Sequence, residues 1–303
     1  MSAAAAGRIA VMPRRHQRSA GGLIALALAA LVAWAPAATA AFPGANGAIA
    51  FTVATRGVDR IAIAAAAPAA PALLTAGSDP AWSADGARLA YGLRGIVVAQ
   101  PDGSGAVRLT SGSRDGDPSW SPDGSQIAFT RTVGRNQDVY VVRADGTGLR
   151  RLTRSGAPDQ EPAWSPDGAR IAFSSKRHGN WELYSMRADG LEQRRLTRTR
   201  TLEGAPAWSP DGRLLAFYRV TAGRADLWIA SADGRAARRL TRRAGNEVDP
   251  AWSPDGTTLA FATDRRGRWT IDTVRADGTA RTTVAIPAGA ASHPDWQPLP
   301  AAG

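Results

Sequence analysis

Short apolar segments that end in an aromatic residue recur along this 303-residue chain, and polar turn sequences separate them. Examples are RIAF at 170–173 and TLAF at 258–261, and the turns include RADG at 143–146. Aliphatic and aromatic runs bounded by Gly, Pro and Asp are typical of strands. Apart from the first 40 residues, no long segment shows the 3.6-residue apolar period of an amphipathic helix. The pattern therefore predicts an all-β protein.

A tryptophan strand followed by a tight turn is repeated along the chain. PAWSPDG occurs at 162–168, 206–212 and 250–256, and related sequences surround the other repeat tryptophans. The six are Trp82, Trp120, Trp164, Trp208, Trp252 and Trp296, at spacings of 38, 44, 44, 44 and 44 residues. An aromatic residue lies nine positions after each of the first five, and further apolar segments and turns complete four short strands per unit. Four strands in about 44 residues are typical of a propeller blade.

The two ends of the repeat array complement each other. The first unit lacks a tryptophan strand, whereas the last tryptophan strand, HPDWQP at 293–298, lacks the rest of a blade. We therefore predict a six-bladed β-propeller with four-stranded blades, closed by the C-terminal strand around Trp296, which joins the N-terminal blade. The repeat units are about 42–78, 79–116, 117–160, 161–204, 205–248 and 249–292, with the closing strand at 293–298.

The repeat resembles a known family. PAWSPDGARIAFSSKRHGNWELYSMRADGLEQRRLT at 162–197 resembles the WD40-like (PD40) repeat of TolB-type β-propellers, and FPGANGAIAF at 42–51 resembles the start of small exported members. The resemblance covers about 42–298 and implies a six-bladed propeller in the bacterial envelope or outside the cell. TolB itself contacts a peptidoglycan-associated lipoprotein and carries an N-terminal α/β domain. About two residues separate the expected leader from the first blade, so we expect a stand-alone propeller at 41–303.

The first 40 residues have the layout of a secretory signal peptide. Arg14, Arg15 and Arg18 precede an apolar run at 22–34, and Ala38 and Ala40 occupy the small-residue positions of a cleavage site. We expect a periplasmic or extracellular monomer without a transmembrane span after leader removal. An uncleaved membrane anchor is the alternative, although an apolar run of about 13 residues is short for a spanning helix.

Two repeated residue types are best explained by the fold. Tryptophan at one strand position in every unit indicates packing between blades, because the same interface recurs six times. Aspartate in the SPDG turn caps its own backbone. These turn aspartates are Asp85, Asp123, Asp167, Asp211 and Asp255.

A second acidic set precedes each repeat tryptophan by three or five positions. Its members, with one histidine, are Asp79, Asp115, Asp117, Asp159, Glu161, Glu203, Glu247, Asp249 and His293. Alternate side chains of a strand share a face, so we expect both positions to line one mouth of the central channel. The functional interpretation is a site for a partner or for a cation, Ca²⁺ or Mg²⁺ because the ligands would be oxygens. The structural interpretation pairs these acids with Arg or backbone N–H groups between blades.

Composition limits the chemistry that the chain can perform. It has no Cys and no G-x-S-x-G, and only His178 and His293 lie beyond the leader. The repeated RRLT segments at 150–153, 194–197 and 238–241 are predicted to form the outermost, edge strands of their blades. The net charge is +11, but the Arg pairs of these segments are spread around the ring, which argues against a nucleic-acid groove. We therefore predict a non-catalytic scaffold or recognition module that binds a protein or an envelope component. The alternatives are a cation-dependent hydrolase or lyase, or a binder of glycans or small ligands, acting through the acidic mouth.

Overall fold

The protein, described by a computed structural model, is built from β-strands and turns. The structure describes residues 42–64, 71–242, 245–284 and 289–300. The expected signal peptide at 1–40 lies outside these residues. Within them, no helix is long and apolar enough to span a membrane.

The strands form six four-stranded antiparallel sheets, which are the six blades. Blade 1 contains β1 (Ala45–Thr55), β2 (Val58–Ala64), β3 (Ala72–Ala76) and β24 (Ala290–Leu299). Blade 2 contains β4 (Ser78–Trp82), β5 (Leu89–Gly92), β6 (Ile96–Ala99) and β7 (Val107–Arg108). Blade 3 contains β8 (Asp115–Trp120), β9 (Gln126–Val133), β10 (Asn136–Arg143) and β11 (Arg150–Arg151). Blade 4 contains β12 (Asp159–Trp164), β13 (Arg170–Ser175), β14 (Glu182–Arg187) and β15 (Arg194–Arg195). Blade 5 contains β16 (Leu202–Trp208), β17 (Leu214–Thr221), β18 (Arg224–Ser231) and β19 (Arg238–Arg239). Blade 6 contains β20 (Glu247–Trp252), β21 (Thr258–Thr263), β22 (Thr270–Arg275) and β23 (Thr282–Thr283).

The C-terminal strand closes the ring. β24 pairs antiparallel with β1 in the order β24-β1-β2-β3, and Ile49 lies opposite Trp296. The tryptophan strands of successive blades contact one another all the way round, from β4 through β8, β12, β16 and β20 to β24 and back to β4. The predicted fold, an all-β propeller with six four-stranded blades closed by the last strand, is confirmed.

The tryptophan strands pack at the junctions between blades. Five of the six repeat tryptophans are at most 3% exposed, whereas Trp296 in the closing strand is half-buried. Trp120 Nε1 donates to the carbonyl of Ala81 in the preceding blade at 3.1 Å, and Trp208 Nε1 donates to Ala163 at 3.2 Å. One blade cannot bury both of its faces, so the shared sequence reflects a shared interface.

The SPDG turns are held together by their own side chains. In each turn the serine hydroxyl donates to the aspartate two residues later, and the N–H of the residue after glycine donates to the same carboxylate. The serine hydroxyl bond, with the backbone N–H bond, holds the pKa of Asp123, Asp167 and Asp211 below the ordinary value. These aspartates are turn residues on separate blades.

The outermost strands are shorter than the sequence predicts. The four-residue RRLT segments form strands over their two arginines alone. The threonine hydroxyl of each segment accepts the backbone N–H of the third strand, as Thr153 does from Val139 at 3.0 Å. A side chain therefore takes the place of the next ladder bond, and the strand ends.

Candidate functional site

A bulge interrupts the tryptophan strand of every blade. The residue three positions before each tryptophan has a left-handed backbone, with φ between 50° and 57°. These six residues are Asp79, Asp117, Glu161, Ala205, Asp249 and His293. The pairing with the second strand shifts register at the same point, for example between Gly116 and Ser119. Asp and His tolerate this conformation better than most residues, whereas Ala and Glu are unfavourable there.

The bulge separates the two acidic positions that the sequence placed on one strand face. Side chains alternate only along a regular strand, and a left-handed residue breaks that alternation. The acids five positions before tryptophan and those three positions before it consequently have different neighbours. We call the first the Arg-paired set (Asp115, Asp159, Glu203 and Glu247) and the second the axial cluster (Asp79, Asp117, Glu161, Asp249 and His293).

Every member of the Arg-paired set is buried against an arginine. Arg131 bonds Asp115 at 2.7 and 2.8 Å, Arg177 bonds Asp159 at 2.8 Å, and Arg219 bonds Glu203 at 2.6 Å. Arg281 bonds Glu247 in the same way. All four guanidinium groups lie over the phenylalanine ring within the second strand of their blade. These acids are therefore structural.

Burial still affects the protonation of the Arg-paired set. It raises the pKa of Glu203, and hydrogen bonds from Thr197 and Arg219 oppose that increase. Burial likewise raises the pKa of Glu247 against the opposing effects of Thr241 and Arg281. The arginines thus offset part of the cost of burying these carboxylates.

Side chains of the axial cluster face one another instead of arginines. His293 lies between two blades, with Nδ1 3.3 Å from Asp79 Oδ1 and Nε2 3.6 Å from Asp249 Oδ2. Burial raises the pKa of Asp117 well above its ordinary value, and the charges of Asp79 and Glu161 raise it further. Within the described residues, no arginine forms an ion pair with a member of this cluster.

Glu161 has a higher pKa than Asp249, the other member of the axial cluster with a pKa value. Burial raises its pKa from 4.5 to about 8, although bonds from the Ser174 hydroxyl and the Ala205 N–H favour the ionised form. The Ala205 N–H bond crosses to the next blade at 2.6 Å, and Gln160 Nε2 donates to the other carboxylate oxygen at 3.1 Å. Near neutral pH this group therefore holds its proton.

Asp249 and His293 carry unused hydrogen-bonding atoms. Burial raises the pKa of Asp249 to about 6, and the neighbouring His293 opposes the increase. Asp249 Oδ2 accepts the His293 N–H at 3.2 Å, but Oδ1 has no hydrogen-bond partner among the described residues. His293 Nδ1 likewise has no hydrogen-bond partner among the described residues. Unpaired buried polar atoms are unusual in folded proteins, but they are not confined to the axial cluster, because Asp159, Glu203 and Glu247 of the Arg-paired set each carry one as well.

Hydroxyl groups that the sequence analysis missed complete this region. Thr52 and Thr130 accept the backbone N–H of Asp79 and Glu161, at 2.9 and 3.0 Å, across blade junctions. Each is the residue after the second-strand aromatic, as is Ser174. The constant offset of ten residues after the repeat tryptophan, as in Thr130 and Ser174, is the signal that could have identified them.

Blade 5 replaces the missing acid with a phenol. Ala205 stands where the other blades carry Asp, Glu or His, and Tyr218 occupies the hydroxyl position of that blade. Burial raises the pKa of Tyr218 well above its ordinary value, and the charges of Glu161 and Asp249 add to this. A Cβ atom at Gly204 would lie 2.5 Å from Tyr218 Oη, so glycine is needed for this approach.

The arrangement limits which chemistry the described residues can perform. No group of three or more His, Asp or Glu side chains among them has the arrangement of a metal site. His178 contacts Tyr184, and His293 lies between two aspartates, so neither forms a Ser–His–Asp arrangement. The axial cluster can bind and release protons and can receive a cationic group, since its carboxyls are not neutralised by arginine.

The fold and this axial cluster define a six-bladed β-propeller with an acidic, histidine-containing axis. The sequence matches PD40, the TolB beta propeller domain, over residues 77–202 and 193–300. The chain therefore belongs to the TolB β-propeller family.

Solved structures share the architecture. TolB from Acinetobacter baumannii has a TM-score of 0.74 at 24% identity, covering 83% of this chain and 67% of that one. A putative TolB from Agrobacterium tumefaciens has a TM-score of 0.64 at 21% identity, covering 84% and 99%. Hydrazine synthase from Kuenenia stuttgartiensis has a TM-score of 0.71 at 15% identity, covering 84% and 47%. No curated protein gave a significant match. These likenesses establish the fold.

Proposed function

We propose that this chain is an exported, non-catalytic propeller that recognises a protein or another envelope component at the axis of the ring. Membership of the TolB propeller family supports this, because a TolB relative would work by binding. The observation that carries the proposal is the axial cluster itself. Among the residues that the structure describes, four buried carboxyl groups and one histidine converge without an arginine, whereas the Arg-paired set two residues away is neutralised.

A cationic group of the partner fits this environment. Carboxyl groups kept protonated by burial ionise more readily when a positive charge approaches. Asp79 and His293, with 13% and 7% of their side chains exposed, offer the point of approach at the junction of blades 1 and 2. Binding of a cationic partner should release protons, so affinity should rise between pH 6 and pH 8.

Export supports the same role. The leader at 1–40 would deliver the propeller to the periplasm or the cell exterior, where an envelope component is within reach. We propose a monomer, since β24 completes blade 1 within the same chain and closes the ring.

The test is capture of partners from envelope and culture-supernatant extracts by the full chain, exported through its own leader and tagged at the C-terminus. The variant replaces Asp117 by Asn, Glu161 by Gln and Asp249 by Asn. These changes remove three axial carboxyls with little change of shape. The matched control replaces Asp145, Asp189 and Asp277 by Asn. Those residues are exposed in turns of the same three blades, and Asn can still cap the turns.

A partner retained by the wild type and the control but lost by the axial variant, with affinity rising with pH, would support the proposal. Equal retention by all three proteins would place binding elsewhere on the ring. Folding of each protein is checked by thermal unfolding before capture.

A second candidate function is binding of Ca²⁺ or Mg²⁺, as a site in itself or as part of a hydrolase or lyase. The unpaired Oδ1 of Asp249 favours it, but no ready-made metal group exists among the described residues. Calorimetric titration with each cation tests it directly. Heat that appears with the wild type and the turn control but vanishes in the axial variant would favour the cation over a protein partner.

A further inference from the structure

A second polar site lies away from the axis, at the junction of blades 4 and 5. A groove of about 580 Å³ runs between β15 with the segment after it and the turn that joins β18 to β19. This volume is in the range of ligand sites, about 300–1,000 Å³. We call it the basic groove; its charged lining residues are Arg194, Arg195, Arg198, Arg219, Asp233 and Arg235.

The basic groove has an excess of positive charge. Arg195 and Arg219 are neutralised by Glu182 and Glu203. The exposed charges that remain are Arg194, Arg198 and Arg235 against Asp233, which lies 3.5 Å from Arg235. The guanidinium of Arg198 makes no hydrogen bond or ion pair within the described part of the chain.

Corresponding arginines at the two adjacent junctions are used differently. Arg150 reaches from blade 3 to the carbonyl of Asp189 in blade 4 at 3.1 Å, and Arg238 reaches from blade 5 to Ala276 in blade 6 at 2.8 Å. Each therefore bridges its junction. Arg194, at the same repeat position, instead turns back to Ser185 of its own blade, with Nε 3.1 Å from the hydroxyl oxygen. The junction of blades 4 and 5 is therefore not bridged by this arginine.

The facing turn also differs from its counterparts. Arg235 follows the DG sequence at 233–234, whereas Leu191 and Thr279 occupy the same position in the turns of blades 4 and 6. Exposed guanidinium groups therefore stand on both walls of the basic groove, with Arg198 on one side and Arg235, beside Asp233, on the other. A ligand with several negative groups could contact both walls together.

We infer that the basic groove binds a chain of phosphate groups without bases. Guanidinium groups match phosphate oxygens in a bidentate geometry. The volume is that of a site for several groups and not for a single small ion. No aromatic side chain is among its lining residues, so it offers no platform for base stacking, which single-stranded nucleic acids usually use. This site is independent of the proposed axial function.

The experiment measures binding of inorganic polyphosphate to the full chain over a series of salt concentrations. The variant replaces Arg198 and Arg235 by Ser. The matched control replaces Arg154 and Arg242 by Ser. These occupy the repeat position of Arg198 at the two adjacent junctions, and the control loses the same charge. Polyglutamate and an oligothymidylate serve as carboxylate and nucleic-acid probes.

We expect the variant to bind polyphosphate at least tenfold more weakly than the wild type and the control. The slope of log affinity against log salt should become shallower by about 1.4, because each phosphate that an arginine neutralises adds about 0.7 to it. Equal weakening in both variants, or no binding by the wild type, would overturn the site. Polyglutamate bound as tightly as polyphosphate would overturn the assignment to phosphate. Oligothymidylate bound more tightly through the same arginines would overturn the assignment to a ligand without bases.

Discussion

Two sets of buried acids lie two residues apart on the same strands, yet they have opposite surroundings. Glu203 of the Arg-paired set is fully buried and bonds Arg219 at 2.6 Å. Glu161 of the axial cluster is equally buried, but its partners are a serine hydroxyl, a glutamine amide and a backbone N–H. A single bulged residue directs one side chain towards arginine and the other towards the axis.

The difference shows two ways to keep a carboxyl group out of water. An arginine retains the charge and fixes the group in the fold, and removing either partner is costly. A cluster without arginine retains protons instead, because desolvation and mutual repulsion disfavour the charged form. The second arrangement leaves its carboxyl groups without a fixed cation and therefore able to receive one, so the axial cluster is the better candidate for function.

Removing the closing strand should have the largest effect, since it deletes His293 of the axial cluster together with one wall of blade 1. Deletion of 290–303 exposes the edge of β1 and opens the ring. We expect loss of the cooperative thermal unfolding transition, a cost that exceeds the usual stability of about 5–15 kcal/mol. Deletion of 301–303 alone is the control and should unfold as the full chain does. Similar melting of both truncated proteins would contradict closure by β24.

Breaking one pair of the Arg-paired set should have the next largest effect. Arg219→Met leaves Glu203 buried without its cation, and we expect the free energy of unfolding to fall by about 3 kcal/mol. Chemical denaturation measures the loss. The double change Arg219→Met with Glu203→Gln removes the uncompensated charge, so it should recover at least half of that loss.

A double variant that loses as much free energy of unfolding as Arg219→Met, or more, would show that Arg219 stabilises the blade by packing alone. Its position over Phe217 and Trp228 makes that outcome physically reasonable. The two acidic sets would then differ in how their neighbours pack and not in how their charges are paired.

The axial cluster should make stability depend on pH. A carboxyl with a raised pKa in the folded state binds its proton more tightly when folded, so stability is full below the unfolded pKa of about 4.5. It is then lost as pH rises towards the folded value, which is about 8 for Glu161. We expect the free energy of unfolding to fall between pH 5 and pH 8, and Glu161→Gln to flatten the profile by an amount on the order of a few kcal/mol.

Thermal unfolding across this pH range measures the profile. Glu192→Gln, which removes an exposed carboxyl of blade 4, should leave the slope unchanged. A wild-type profile that rises over the same range would mean that Glu161 is ionised in the folded protein. The axial cluster would then be as fully compensated as the Arg-paired set.

The fold could be predicted because its determinants are written as repeats. A spacing of 44 residues over four of the five intervals, with its apolar segments and turns, predicts four strands per blade. The unaccompanied strand around Trp296 predicts closure by the last strand. The outer strands were predicted too long, since the sequence does not state that the Thr153 hydroxyl replaces a ladder bond. Local side-chain bonds of this kind depend on the relative position of strands.

The candidate residues could be located, but their grouping could not. A bulge is a backbone conformation. The sequence around Asp79 or Asp117 does not show whether the residue lies in a regular strand or has a left-handed backbone. The arginine partners come from different elements, with Arg131 on the second strand and Arg281 beyond the third. Arginine pairing therefore had no constant spacing to reveal it, and separation of the two sets required the structure.

Ala205 provides the smallest and most specific test of the bulge that separates the two sets. It has a φ of 50°, a conformation that costs a residue with a Cβ about 1–2 kcal/mol and glycine almost nothing. Glycine also has more freedom in the unfolded chain, and this offsets part of the gain. Ala205→Gly should therefore stabilise the protein by a net ~0.5 kcal/mol. Ala207→Gly, two residues along the same strand and equally buried, lacks the positive φ and should destabilise it by about 1 kcal/mol. Denaturation midpoints that move in opposite directions would confirm the left-handed backbone at position 205. Equal losses of stability would mean that position 205 lies in a regular strand. The acids three positions before tryptophan would then share a strand face with the Arg-paired set.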